Sequence, residues 1–341
     1  MKKSYELIYD IDKKEWSNFV YNHSKGSIFQ TPEMAEVYKR TKNYEPISLA
    51  VVDEKTDEIL AVLLAVVIRE MSGFLGSFSA RSIIQGGPLF VEEERGFNAI
   101  KTLMEHYDNI ARKKALYTEI RNMWDTSQIS SILRDKDYRD EDHFNFLIDL
   151  TKSKEELWNN LKRDKKRGVT KARKAGIEIY ENMNKNQISV FYDILKKTYR
   201  DVKTPLADIS LFESVFDILY QEKKAKFIFA KSGDKVIAGG VRLNYKKVIY
   251  AWYACALNAY LSIHPNELLV WHILEDGANK GYDTFDFLGA GKPNEEYGVR
   301  EFKKQFGGQL VNFGRYKKIY SPFKMKIAEK GFKIYKKLCS R

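Results

Sequence analysis

Two stretches of this chain present the same order of elements, and that repetition constrains its fold more than any other feature. In residues 46–68, PISLAVVDEKTDEILAVLLAVVI, two apolar runs rich in β-branched residues flank a polar turn, the pattern of a strand hairpin. FNAIKTLMEHYDNIARKKA (97–115) then places apolar residues at helical spacing, and LYTEIR (116–121) reads as a strand. Residues 225–245, AKFIFAKSGDKVIAGGVRLNY, repeat strand, turn and strand, and VIYAWYAC (248–255) adds another. NELLVWHILEDGANKG (266–281) is a helix stopped by Gly281, and YDTFDFLG (282–289) a strand. Side-chain identity between the copies is slight, so the repeat is one of pattern. A chain of 341 residues accommodates two domains at roughly 100 to 200 residues each, and the mixing of strands with helices predicts the α/β class. We expect one domain over residues 1–148, a second over 149–320, and a C-terminal helix over 321–341 that packs back on the body.

Between the copies, HFNFLIDL (143–150) alternates like a strand, and Ser153 with Glu156 forms a capping box that opens a helix. That helix is expected to carry KRDKKRGVTKARKAG, in which eight of the thirteen residues from Lys162 to Lys174 are basic and only Asp164 is acidic. In the tail, Phe323, Ile327, Phe332, Ile334 and Leu338 fall along one helical face among lysines. Burial of that face against the body is one reading, and a basic amphipathic segment lying on an anionic membrane is the other.

Lys and Arg exceed Asp and Glu by 58 to 46, a net charge of +12 and a pI of 9.3, which favours an anionic partner. No apolar run reaches the roughly 18 residues of a membrane-spanning helix, and the opening MKKSYELIYDIDKKEW lacks the apolar centre of a secretory signal. The expectation is a protein made and kept in the cytoplasm, if on a membrane then at its inner face, as a monomer or weak dimer. Cys255 and Cys339 form neither a disulfide framework nor a metal-ligand pattern and read as free thiols. The histidines at 23, 106, 143, 264 and 272 supply no close pair on one helical face. A G-x-S-x-G elbow, a P-loop and a G-x-G-x-x-G after a strand are all missing, so neither hydrolase nor metal chemistry is supported.

The order strand, strand, helix, strand is that of acetyltransferase-like domains. Those that use acetyl-CoA hold its pyrophosphate on the N–H groups of a Q/R-x-x-G-x-G/A turn opening a helix. Before NELLVWHILEDGANKG the chain reads LNAYLSIHP, without that turn, which disfavours acetyl-CoA as cofactor. The fold fits while the cofactor does not.

HPNELLVWHILEDGANKGYDTFDFLGAG, followed by GVREFKKQFGGQLVNFG, resembles the C-terminal signature of the Fem family of aminoacyl-tRNA-dependent peptidyltransferases, which build peptidoglycan interpeptide bridges. That signature joins a helix with L-x-W, a G-Y-x-x-x-D-F-x-G strand and F-K-x-x-F-G-G. LKRDKKRGVTKARKAGIEI and IFQTPEMAEVYK also resemble family segments, the likeness being weaker before residue 150. The resemblance implies two tandem acetyltransferase-like (GNAT) domains, with no bound cofactor and aminoacyl-tRNA as co-substrate. It implies a catalytic role for Lys303, after Phe302 in the F-K motif, near the reacting ester and the phosphate of the tRNA end. Arg200 resembles the arginine that grips the diphosphate of a nucleotide-linked substrate, Lys39 resembles its N-terminal basic partner, and Tyr253 a substrate-lining aromatic; Phe302 belongs to the same substrate-binding set. Met34 stands where many members have tryptophan.

Aminolysis of an aminoacyl ester needs a neutral amine, a proton acceptor, and positive charge where the carbonyl oxygen becomes negative. Lys303 answers the last need. Asp286 is a candidate base, or equally a structural carboxylate capping a turn. Lys162, Arg163, Lys165, Lys166, Arg167, Lys171, Arg173 and Lys174 fit a phosphate-rich partner, here the tRNA, without interleaved aromatic residues for base stacking. The implied partners are aminoacyl-tRNA and a nucleotide- or lipid-linked cell-wall peptide precursor. Two alternatives stand beside this reading: an N-acyltransferase of polysaccharide or envelope synthesis with a thioester donor, and a non-catalytic basic protein binding nucleic acid or membrane.

Overall fold

The run Ile59–Ile68 is apolar at every position and lies buried on both faces of a sheet. Leu63, Ala65 and Val67 join the core beneath helix Glu94–Lys114, while Val62, Leu64 and Val66 are equally buried on the opposite face. Helices Lys13–Asn22 and Pro32–Arg40 pack against this strand and its neighbour. The computed structural model describes residues 5–70, 79–181, 184–202 and 204–328. The chain divides into two units: one formed by residues up to Asp142 together with those from Phe313 onward, the other by His143–Asn312.

In the first unit the strand order is Tyr5–Ile8, Tyr44–Asp53, Ile59–Ile68, Arg81–Gln85, Tyr117–Arg121, Arg315–Ile319 and Arg139–Glu141, with Leu89–Phe90 paired to Ile59–Ile68. Among its described residues one pair is parallel, Arg81–Gln85 with Tyr117–Arg121, and is joined through helix Glu94–Lys114. In the second unit the order is Gln309–Asn312, Phe144–Asp149, Thr284–Asp286, Val248–Ala256, Lys235–Tyr245, Ala225–Ser232 and Ile177–Tyr180. Again one pair among the described residues is parallel, Val248–Ala256 with Thr284–Asp286, connected by helix Pro265–Asn279. The repeat read from the sequence is thus present, and strand Arg81–Gln85, which that reading lacked, completes it.

The boundaries differ from those expected. Phe144–Asp149 pairs with Thr284–Asp286 and Gln309–Asn312, so it belongs to the second unit and not the first. Arg315–Ile319 lies between Tyr117–Arg121 and Arg139–Glu141, antiparallel to both, and so belongs to the first. A buried polar cluster fastens it there: Asp108 accepts from Lys318 Nζ at 2.7 Å, and from the hydroxyls of Tyr138 and Tyr320 at 2.7 Å each. Residues 322–328 are helical, but Phe323 and Ile327 are exposed, so in that stretch the apolar face does not pack on the body. Phe332, Ile334, Leu338 and Cys339 lie outside the described residues.

The capping box forms, with Ser153 Oγ accepting from Glu156 N at 3.2 Å and Glu156 Oε2 from Ser153 N at 2.9 Å. Its helix ends at Asn160, however, and the basic residues occupy a separate helix, Arg163–Lys174. Buried Leu161 takes an extended conformation between them, and Lys162 N donates to Gln305 O at 2.9 Å, which draws the chain out of helical register.

Candidate active site

The site in the second unit is built where the two parallel strands part. Their pairing runs from Val248/Thr284 to Tyr250/Asp286 and stops there, although the first strand continues to Ala256. A bulge falls in that continuation: Val241 faces Tyr253 and Arg242 faces Ala251, which leaves Trp252 as the extra residue.

The other strand turns sharply after Asp286. Leu288 adopts φ 56, a left-handed conformation costing roughly 1 kcal/mol in a residue with a Cβ. Asp286 Oδ1 holds this turn by accepting from Leu288 N and from Asn145 Nδ2, each at 2.6 Å. Asn145 Oδ1 accepts in turn from Gly289 N at 2.8 Å. The turn aims two carbonyls at one point, and Lys303 Nζ occupies it, donating to Phe287 O and Gly289 O at 2.7 Å each.

Lys303 comes from the short helix Gly298–Lys304. Behind it, Gly307 has φ 82, and a Cβ there would lie 2.5 Å from Asn160 O; one on Gly308 would lie 2.9 Å from Leu147 O. The two glycines therefore let the chain pass close under residues 147–160 into strand Gln309–Asn312. Phe302, Phe306 and Phe287 pack in sequence, with centroids 5.1 and 5.9 Å apart, and Lys303 Nζ lies 5.4 Å from the Phe287 centroid.

This surrounding sets the charges. Burial pushes the Lys303 ammonium down to about 8, opposed by the nearby charge of Asp286. Burial pushes the Asp286 carboxyl up, opposed by the hydrogen bonds from Asn145 and Leu288 N and by Lys303. Asp286, 4% exposed, spends one oxygen on the Leu288 N–H of the turn and on the Asn145 side-chain amide. Of the two readings of its sequence position, these contacts are those of a turn-capping carboxylate.

Tyr253 is half-buried, with its ring 4.9 Å from Phe212 and 6.1 Å from Tyr199. Arg200 follows Tyr199 near the end of helix Gln187–Asp201 and is exposed. Lys39 is exposed in the last turn of helix Pro32–Arg40, in the first unit. Gln30 of the IFQTPEMAEVYK segment is 2% exposed and donates to Gly86 O and Gly87 O at 3.1 and 3.0 Å, so it anchors the entry to that helix.

The basic helix does not present all its charges. Lys162, Arg163, Arg167, Lys171, Arg173 and Lys174 are exposed, Arg167 beside Asp164 at 3.5 Å and Arg173 beside Glu275 at 3.6 Å. Lys166 is half-buried and donates to Asn159 O at 3.1 Å. Lys165, expected to contact tRNA, is instead buried against Glu267 at 2.9 Å, because the helix turns that side toward helix Pro265–Asn279.

Asn145, Glu267 and His264 were not singled out by the sequence. His264 caps helix Pro265–Asn279 with φ 61, and its Nδ1 lies 3.4 Å from Glu267 Oε1. Its one sequence signal is the His-Pro pair at a helix start. Among the described residues no group of three or more His, Cys, Asp or Glu could hold a metal ion, and no helix is long and apolar enough to cross a membrane.

Comparison with known proteins agrees with this architecture. Residues 159–304 match the model of an acetyltransferase (GNAT) domain family. The crystal structure of FemX is similar over 92% of this chain and 97% of that one, with a TM-score of 0.68 and 17% identity. The C-terminal domain of a putative lysylphosphatidylglycerol synthetase from Agrobacterium fabrum is similar over 94% of this chain and 95% of its own, with a TM-score of 0.56 and 14% identity. A tandem GNAT protein from the clavulanic acid biosynthesis pathway covers 94% of this chain and 99% of its own, at a TM-score of 0.58 and 8% identity. A search of curated protein sequences finds no match. Residues 159–304 thus carry an acetyltransferase (GNAT) domain, and the chain as a whole is Fem-like in fold, with two domains of that fold in tandem.

Proposed function

We propose that this protein is an aminoacyltransferase of cell-envelope synthesis that moves an amino acid from charged tRNA onto an amine of a cell-wall peptide precursor. The observation that carries the reading is the placement of Lys303: an ammonium on two converging carbonyls, at the point where the parallel strands separate. The substrate amine attacks the ester carbonyl, the C–O bond to the tRNA ribose breaks, and the amine loses one proton as the ribose oxygen gains one. Lys303 supplies positive charge to the oxygen on which negative charge grows. With its titration near 8, it can also pass a proton to the departing ribose oxygen. Asp286 keeps the turn, and with it the carbonyls, in place; the proton acceptor for the amine is then the substrate or water. Positioning supplies much of the remaining acceleration, since the ester is already activated.

Tyr253 lines the open side of the separated strands in this reading, and the exposed face of helix Arg163–Lys174 follows tRNA phosphates. Arg200 takes the anionic part of the acceptor. Helix Pro265–Asn279 is entered through a 3-10 turn, Asn258–Ile263, and Pro265 at its first position offers no N–H, which makes a poor pyrophosphate cradle and favours tRNA over acetyl-CoA as donor. The likeness to a lysylphosphatidylglycerol synthetase domain supports a lipid-linked acceptor as the second reading.

The test offers radiolabelled aminoacyl-tRNAs and acetyl-CoA side by side, with nucleotide-linked and lipid-linked precursors as acceptors. Transfer from aminoacyl-tRNA is expected. Label appearing only from acetyl-CoA would replace this reading with that of a thioester-dependent N-acyltransferase.

A further inference from the structure

Lys165 is the buried member of a strongly basic helix. Its side chain is 9% exposed, and its ammonium lies 2.9 Å from Oε1 of Glu267, itself 13% exposed. The same nitrogen sits 3.9 Å from the ring centroid of Phe302 and 5.6 Å from that of Phe306. Glu267 is fixed in its turn, standing in the first turn of helix Pro265–Asn279 with its Oε1 3.4 Å from His264 Nδ1. Gly168 lets the two helices approach closely enough for this, since a Cβ there would lie 3.0 Å from Glu267 Cγ and 3.3 Å from the His264 ring.

Stability alone is a weak reason for such a pair, because an apolar replacement of a buried ion pair is often as stable or more so. What the ammonium adds over a methyl group is a directed hold on an aromatic face. Phe302 precedes Lys303 on a helix of seven residues, too short to keep its own orientation without such contacts.

We propose that Lys165, anchored by Glu267, is a positioning residue: it fixes the Phe302 ring, and through it the helix that places the Lys303 ammonium on the carbonyls of Phe287 and Gly289. The inference rests on the reading of Lys303 as the residue beside the reacting ester, and the experiment separates the two.

In the full chain, Lys165→Met, the pair Lys165→Met/Glu267→Gln, and Lys303→Ala are compared for transfer kinetics and thermal midpoint. The titration of Lys303 is followed by the NMR signal of its ε-carbon, assigned by its absence from Lys303→Ala. Lys165→Met is expected to lower kcat about tenfold or more, with KM for the charged tRNA changed less than about twofold. The Lys303 midpoint should rise from about 8 toward the ordinary lysine value as the ammonium leaves its buried position for solvent. The paired variant, which leaves no buried charge unpartnered, should regain the thermal midpoint but neither the rate nor the Lys303 titration. Recovery of rate together with stability, or an unmoved Lys303 titration in Lys165→Met, would overturn the proposal. Full activity in Lys165→Met beside a crippled Lys303→Ala removes Lys165 alone; full activity in Lys303→Ala removes the underlying reading.

Discussion

Replacing Lys303 with methionine keeps an unbranched side chain, one atom shorter, and removes its charge, and the structure sets what this should do. Moving a lysine from its usual value near 10.4 to about 8 corresponds to roughly 3 kcal/mol of preference for the neutral form. At neutral pH the protein bears that cost, because the site is still mostly protonated there. Lys303→Met removes that cost but leaves the carbonyls of Phe287 and Gly289 without their donor, at about 1 to 3 kcal/mol. The two effects oppose each other, so Lys303→Met should leave the thermal midpoint within a few degrees of the parent. Its rate should fall about 100- to 1,000-fold, the loss seen when a donor to a developing oxyanion is removed. The sign of the pH effect follows from the same group. Because the folded protein holds this proton less tightly than the unfolded chain, stability rises with pH between about 8 and 10.4, while the active ammonium is lost above about 8. Initial rates of transfer between pH 6.5 and 9.5, corrected for spontaneous ester hydrolysis, should descend about tenfold per pH unit above 8. A rate that keeps rising to pH 9.5, or a descending limb that persists in Lys303→Met, would refute the assignment of the charge to this residue.

Gly307→Ala combines a positive φ with a Cβ 2.5 Å from Asn160 O, and should cost about 2 kcal/mol or more in urea denaturation, whereas Gly298→Ala meets no atom within 4 Å and should be close to neutral. Burial raises the Glu119 carboxyl, but Arg121 and Arg315 outweigh it and hold the group at about 2. The stability it contributes is present above the ordinary carboxylate value of about 4.3 and is lost as pH falls toward 2, so Glu119→Gln should flatten the melting profile across that window. Charge reversal at Lys171 and Lys174 should lower the slope of log K against log salt for tRNA binding by about 1 to 2, with little change in kcat; an unchanged slope in filter binding would place the tRNA elsewhere.

The long central strands of both units were legible because period-two and continuous apolar runs survive local noise, as in Ile59–Ile68 and Lys235–Tyr245, whereas short strands such as Arg81–Gln85 were not. Lys303 was singled out through the resemblance of its F-K motif, behind the DFLG strand, to the Fem signature. Its companions were not, for a physical reason: Asn145 meets Asp286 and Gly289 across more than 140 positions, and Glu267 meets Lys165 across 102, separations that no local pattern encodes. Lys165 also hides among lysines of the same type, since burial is decided by which face of helix Arg163–Lys174 meets Glu267. Arg315–Ile319 failed for a related reason. Its lysines suggest a solvated end to the second domain, whereas Lys318 turns inward to Asp108.

That last strand also bears on how the protein comes into being. The first unit lacks a strand from within its sheet until residue 319 has been synthesised, by which time the whole of His143–Asn312 has already been made. The contact of Lys318 with Asp108 closes a loop of 210 residues, and such long-range pairing is slow to form. Until it forms, Tyr117–Arg121 and Arg139–Glu141 each wait with an unpaired edge, the kind of surface on which chains associate wrongly. The strands of the second unit are all in hand once residue 312 is made, whereas the sheet of the first, though begun earlier, is completed only by residues 315–319.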